Sequence, residues 1–255
     1  MQKARRLTTE AVVLRHMDLG EADRLLTLYT PHHGKLRALA KGVRKMRSRK
    51  AGHLISFARA KVLLAQGHDL YLLVQAEGLD LHPRLHEDLE RFAQAAYVVE
   101  LLDRFTFEGE AQPRAYHLLV DTLARLDQGE RPTLSMRYYE LHLLDLMGYR
   151  PQLFSCVACG ATVQPEPQYF SAAQGGVLCP QCGPRFPEAR PISLAALKYL
   201  RHLQRSQSFA QARRARPTAA TCREMEAVLQ AYLTFLLERR PNTTRFLRHV
   251  RGEGP

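Results

Sequence analysis

The sequence predicts an α+β chain: a small β-barrel, then a bundle of helices into which a four-cysteine module is inserted. Three observations carry this. Residues 1–80 hold short apolar runs separated by turn residues. From Pro83 the apolar residues switch to helical spacing. Two Cys-x2-Cys pairs interrupt that helical pattern between about residues 153 and 184. The expected domains are therefore 1–80, and 81–255 interrupted by the module.

Five strands are expected in the first domain. Thr8 to Leu14 is rich in Thr and Val. Arg24 to Thr30 is short and apolar, between the Asp18–Asp23 turn and Pro31. Gly34 to Ala40 alternates in part, with Leu36 and Ala38 on one face and Lys35 and Arg37 on the other. Leu54 to Ala65 alternates in part, with Ile55, Phe57, Ala60 and Val62 as core candidates. Leu70 to Gln75 follows the Gly67–His68–Asp69 turn. Short strands joined by turn chemistry suit a closed barrel. The OB-fold is the five-stranded candidate, although strand count alone also admits an SH3-like barrel.

The helices follow. Leu85, Leu89, Phe92, Ala96 and Val99 share one face, with Glu87, Asp88 and Glu90 at its start, where the helix dipole favours acids. A second helix follows Pro113. A third spans Thr133 to Met147 and stops at Gly148. Beyond the module, Leu194, Leu197, Leu200 and Leu203 form one stripe; Met225, Val228, Leu229, Tyr232 and Leu236 form another. Ser206 to Pro217 reads as a loop.

The formal net charge is +12 over 255 residues. Residues 1–80 carry +8, 81–150 carry −4 and 151–255 carry +8. A basic, acidic, basic division suggests separate jobs and a polyanionic partner. The N-terminus lacks the apolar core of a secretory signal, and no apolar run approaches the ~18 residues of a membrane span. A cytoplasmic protein with no membrane partner is expected.

The densest charge lies between Gly34 and Lys50, which hold eight basic side chains, Lys35, Arg37, Lys41, Arg44, Lys45, Arg47, Arg49 and Lys50, and no acid. A cationic strand running into a cationic loop matches the line of charge on a nucleic-acid backbone. Tyr29, Phe57 and Tyr71 are candidate base-stacking residues, with core packing the alternative. The C-terminal cations Lys198, Arg201, His202 and Arg205, with Arg239, Arg240, Arg245, Arg248 and Arg251, form a second basic surface. It suits a solvated face, nucleic acid, or an acidic peptide against an apolar groove.

Cys156-x2-Cys159-Gly160 and Cys179-x2-Cys182-Gly183 flank nineteen residues. Two residues between thiolates let both sulfurs reach one Zn2+ at about 2.3 Å. Four thiolates leave no open position, so one structural Zn2+ is expected. Redox-active pairs are the alternative; neither pair sits in a strand–helix–strand unit. Cys222 reads as an ordinary thiol. No phosphate-binding loop, dinucleotide fingerprint or nucleophile with its base occurs. His86-Glu87-Asp88-Leu89-Glu90 fits a helix start better than an acid/base site, and His32 and His33 fit a solvated turn. No enzymatic activity is expected.

Taken together, these residues make the chain resemble the RecO family of bacterial recombination mediators. Residues 10–57 carry Asp18-x-Gly20-Glu21-x-Asp23-Arg24, Thr30-Pro31-x-x-Gly34-Lys35 and Ala40-Lys41-Gly42-x-Arg44. Residues 138–151 (YYELHLLDLMGYRP) lead into the cysteine pairs, and 242–247 (NTTRFL) give a weaker match. The resemblance implies an N-terminal OB-fold, a helical domain and an inserted zinc module. It implies binding of single- and double-stranded DNA, annealing of complementary strands and work with RecR. It also implies engagement of the single-stranded-DNA-binding protein through its acidic C-terminal tail, and help to RecA, in the cytoplasm at the nucleoid. The family's DNA-binding basics fall on Lys35, Arg37, Lys41, Arg44, Lys45, Arg47, Arg49 and Lys50. Two other classes fit less well: an RNA-binding translation factor, and a metal-dependent nuclease.

Overall fold

The computed structural model describes residues 6–46, 48 and 50–252. The chain divides into two compact units, one running to Gln128 and including the segment from His249, the other Gly129–Arg248.

The first unit is built on a closed five-stranded barrel of β1 (Arg6–Leu19), β2 (Asp23–Thr30), β3 (Gly34–Ala40), β4 (Arg59–Gln66) and β5 (Tyr71–Asp80), in the order β1-β2-β3-β5-β4. The β3–β5 pair is parallel, with Ala38 opposite Tyr71, while the other pairs are antiparallel. This closure is that of an OB-like barrel. Every second residue turns inward: Ala11, Val13, Leu26, Leu28, Leu36, Ala38, Ala40, Ala60, Val62, Leu64 and Leu73 fill the core. A closed barrel has no free edge to template aggregation.

The strand expected from Leu54 starts only at Arg59. Ala51–His53 form a turn of 3-10 helix, and Phe57 adopts a left-handed backbone, φ 70°. A β-strand cannot pass through that conformation. Phe57 N instead donates to Val13 O (2.8 Å), and the ring stacks on His86 and meets Phe92 edge-on. Phe57, Ala60 and Val62 are buried as expected, Ile55 is only half-buried, and Leu54 is buried beside them.

The helix expected from Pro83 is two helices, α1 (Pro83–Glu87) and α2 (Leu89–Phe105). Asp88 is extended between them, and its side chain accepts from Arg91 N, which caps α2. After α2 the chain returns along β3, with Gly109 N donating to Lys35 O (3.1 Å). Gly34 has φ +61°, and a Cβ there would collide with the Glu110 backbone, so only glycine permits this approach. α3 (Pro113–Gln128) closes the unit.

In the second unit α4 (Pro132–Leu146), α5 (Leu194–Arg205) and α7 (Ala219–Leu236) pack on one another. Leu197, Leu200 and Leu203 of α5 are buried, as are Met225, Val228, Leu229 and Tyr232 of α7. Ser193 caps α5 by accepting from Ala196 N, and donates to Glu224 of α7 at 2.6 Å. Arg137, wholly buried on α4, pairs with Glu140 at 2.6 Å and Glu226 at 3.4 Å. The expected Ser206–Pro217 loop contains a short helix, α6 (Phe209–Ala212), because Phe209 packs edge-on against Tyr138. The cysteine module adds a three-stranded sheet in the order β7-β6-β8, formed by β6 (Gln168–Ser171), β7 (Gly176–Leu178) and β8 (Arg190–Ile192). The last helix is α8 (Asn242–Val250).

Candidate nucleic-acid interface and metal centre

The expected cationic side chains are not equivalent. Lys41, Arg44 and Lys45 are exposed on the turn after β3, and Arg37 is exposed on the strand. Lys50 is half-buried; Arg47 and Arg49 lie outside the described residues. Lys35 is the exception. Its side chain is only 13% exposed, and its Nζ donates to the Asp103 carboxylate (2.8 Å) and carbonyl (2.6 Å). Arg37 Nε stands 4.0 Å from Glu108, a loose pairing.

The cationic turn has a defined shape. Val43 is fully buried among the barrel core residues and anchors it from below. Gly42, at φ +63°, donates its amide to Asp23 Oδ1 at 2.7 Å, and Arg44 N donates to Ala22 O at 2.9 Å. The Arg44 side chain donates to Gly20 O and pairs with Asp18 at 3.3 Å. Asp18 also pairs with Arg24 at 2.8 Å; that hydrogen bond holds its carboxyl below the usual carboxylate range. The β1–β2 turn thus braces the cationic turn. Charge counting misses Asp18 and Asp23; the Asp18–Arg24 motif, which in the sequence carries only the family resemblance, is the signal that could have found them. His16 sits beside Arg24, and burial followed by that charge lowers its pKa, so it adds little cation near neutral pH.

Among the three aromatics, Tyr29 and Phe57 are buried and offer no face to a base. Burial and the charge of Glu110 push the Tyr29 hydroxyl up to about 12. Tyr71 is half-buried against the barrel core. His32 and His33 are exposed in the β2–β3 turn.

The four cysteines converge. Their sulfurs all lie within 4.8 Å of one another, and Cys159 Sγ is 3.9 Å from Cys179 Sγ. Four sulfurs bound at about 2.3 Å around one ion lie roughly 3.8 Å apart. Between the pairs a hairpin forms, with Tyr169 opposite Leu178, and returns the second pair to the first. Burial pushes the Cys156 thiol up, but backbone amides at Cys179, Cys159 and Ala158 outweigh it and bring it to about 6. Cys182 is pushed the other way, to about 12, first by its hydrogen bond with Cys179. Sulfurs this close cannot all ionise unless a cation sits among them. The donor set therefore fits a metal ion held by Cys156, Cys159, Cys179 and Cys182.

The module is fastened to α5. Arg201 Nε donates to Leu153 O (2.7 Å), and Gln204 Nε2 donates to Pro151 O (2.8 Å). The Arg205 guanidinium lies 3.9 Å from the Phe154 ring centroid. Arg201 and Arg205 are thus packing residues as well as charges. On α5 opens a groove of about 680 Å³, lined by Leu194, Lys198, Tyr199, His202, Arg214 and Ala215, with no acid among its lining. No described helix is long and apolar enough to cross a membrane.

Comparison with known proteins agrees with this architecture. The family model described as Recombination protein O N terminal matches residues 1–82, and Recombination protein O C terminal matches 86–245. A DNA repair protein RecO from Roseiflexus sp. (strain RS-1) is 46% identical over 95% of this chain and 85% of its own length. That of Desulforudis audaxviator is 43% identical over 95% of this chain and 96% of its own. That of Dehalococcoides mccartyi (strain CBDB1) is 34% identical over 98% of both. With an OB-like barrel, a helical unit and a cysteine module matched along almost its whole length, the chain belongs to the RecO family.

Proposed function

We propose that this protein is a DNA-binding recombination mediator in DNA repair. The observation that carries the reading is the exposed, braced cationic turn on the barrel of a RecO-family chain. Lys41, Arg44 and Lys45, with Arg37, Arg47, Arg49 and Lys50, neutralise phosphates of single- and double-stranded DNA. Each contact releases counterions. Neutralising two strands together lowers their repulsion, so complementary strands anneal. No step needs bond chemistry, and the protein acts as a mediator without catalysis. Lys35 belongs to this set by family position, but its pairing with Asp103 assigns it to holding α2 against β3.

In this reading residues 1–80 are the DNA-binding domain and 81–255 the helical domain. The protein works with RecR to help RecA onto DNA coated by the single-stranded-DNA-binding protein. That protein's acidic tail lies in the α5 groove, where Lys198, His202 and Arg214 ring an apolar floor. The ion in the module is one Zn2+, whose closed thiolate shell gives it structure and no reaction. The protein works in the cytoplasm at the nucleoid.

The test is strand annealing on DNA precoated with the single-stranded-DNA-binding protein, with and without its acidic tail. Annealing that needs the tail and falls steeply with salt supports the reading. Preference for RNA of the same sequence, or cleavage with Mg2+, overturns it.

A further inference from the structure

The strand ends that flank the β1–β2 turn carry two carboxylates, Asp18 on β1 and Asp23 on β2, that touch the cationic turn in different ways. Asp23 holds backbone: its Oδ1 accepts the Gly42 amide at 2.7 Å, within the short range of a charge-assisted bond. It fixes the point where the chain leaves β3 with φ +63°. The neighbouring Ala22 carbonyl takes the Arg44 amide at 2.9 Å, and Val43 between them is buried. Lys41 and Lys45, on either side, are thereby held outward together. Asp18 holds only side chains: Arg24 at 2.8 Å and Arg44 at 3.3 Å.

We infer that Asp23 is a positioning residue for polyanion binding, setting the backbone of the cationic turn, whereas Asp18 restrains the same turn by occupying Arg44. The inference rests on the proposal that this turn binds nucleic acid. A phosphate approaching Arg44 replaces the Asp18 carboxylate, which keeps Arg24 as its partner. No bond is made or broken, and the exchange is one counter-charge for another.

Coulomb's law alone gives both carboxylates the same sign. Removing either negative charge from a polyanion site strengthens binding. The geometry gives them opposite signs, because Asp23 trades its unfavourable charge for a preformed turn. Preorganisation at this scale corresponds to about a threefold to tenfold change in affinity.

The experiment uses the full chain and a fluorescent oligothymidylate, titrated between 50 and 200 mM salt (about the range over which phosphate contacts are resolved). Asp23→Ala is expected to weaken binding about threefold to tenfold. Asp23→Asn, whose amide oxygen still accepts from Gly42 N, is expected to restore it. Asp18→Asn is expected to tighten binding about twofold to fivefold, the range of an exposed ion pair. Gly42→Ala changes no charge but forces a side chain into the left-handed region. It is expected to weaken binding as Asp23→Ala does, and it stands in should that variant not fold. Amide exchange at Gly42 and Arg44 is expected to quicken in Asp23→Ala while the barrel strands stay protected.

Tighter binding by Asp23→Ala, or wild-type binding by Gly42→Ala, overturns the positioning role. Unchanged binding by Asp18→Asn overturns the restraint. A wild-type protein that does not bind the oligonucleotide at all overturns the DNA-binding proposal itself, and this inference with it.

Discussion

The Lys35 ammonium lies 2.8 Å from the Asp103 carboxylate and 2.6 Å from the carbonyl of the same residue, near the C-terminus of α2. The carbonyl is one of those a helix leaves unpaired at its end, and a cation there also meets the negative end of the dipole. With side chains only 13% and 20% exposed, the pair is shielded from much of the solvent screening. Lys35→Ala is expected to destabilise the barrel unit by roughly 1.5–3 kcal/mol, the range for a hydrogen bond to a charged group. Oligonucleotide affinity is expected to change much less than in Lys41→Ala. Urea unfolding and fluorescence titration of both variants check this. A Lys35 variant with wild-type stability and lost affinity would return the residue to the DNA-binding set.

The exposed turn behaves in the opposite way. Lys41, Arg44 and Lys45 face solvent, and the turn's fold is fixed by Val43 and by backbone bonds that alanine retains. Replacing all three by Ala is expected to leave the unfolding midpoint within about a degree or two, since exposed substitutions change stability by about 0.5 kcal/mol or less. The slope of log affinity against log salt on single-stranded DNA is expected to fall by about 2, from three phosphate contacts at about 0.7 each. An unchanged slope would mean that other cations carry the binding.

What the sequence makes legible follows from how local each signal is. The alternation in Gly34–Ala40 suffices to place Leu36 and Ala38 inside, because a strand's two faces are written in neighbouring residues. The cysteine spacing suffices to bring four sulfurs together for the same reason. Nothing near Lys35 announces Asp103, which is 68 residues away, so its diversion from the cationic face is tertiary information. Phe57 is apolar at the right period, yet its left-handed backbone is set by contacts with Val13, His86 and Phe92. β8 hides behind Pro191, which a sheet tolerates only on an edge strand, and β8 is the edge of its sheet.

The metal centre should matter to one face of α5 and leave the barrel alone. The module reaches α5 through Arg201, Gln204 and the Phe154–Arg205 contact, just before Cys156. Chelation, or Cys156→Ser with Cys179→Ser, is expected to free the 151–163 segment and loosen α5. Faster amide exchange in both is the readout, together with loss of the one metal ion per chain that the proposed function places there. Oligonucleotide affinity at the cationic turn is expected to stay within about twofold, because that turn is held by Val43, Asp23 and Ala22, all of the barrel unit. Loss of α5 protection without loss of metal, or the reverse, would separate the ion from the helix it is held to brace.

The barrel unit carries an acid-sensitive residue in His82, which is buried and holds a left-handed backbone, φ 49°, at the start of α1. Burial lowers its pKa below the ordinary 6.5, and the charges of Asp127 and Asp80 only partly offset this. Folding thus favours the neutral ring. The unfolded chain binds the extra proton first as pH falls, so this contribution is complete above about 6.5 and is lost as pH drops below it. His16 shifts the same way, through burial and then Arg24. His82→Asn keeps a residue tolerant of the left-handed region while removing the titration. The melting temperature of the wild type is expected to fall more steeply than that of the variant between pH 6.5 and 5. Parallel curves would assign the acid sensitivity to His16 or to the carboxylates, and the double variant His16→Asn/His82→Asn then divides those two.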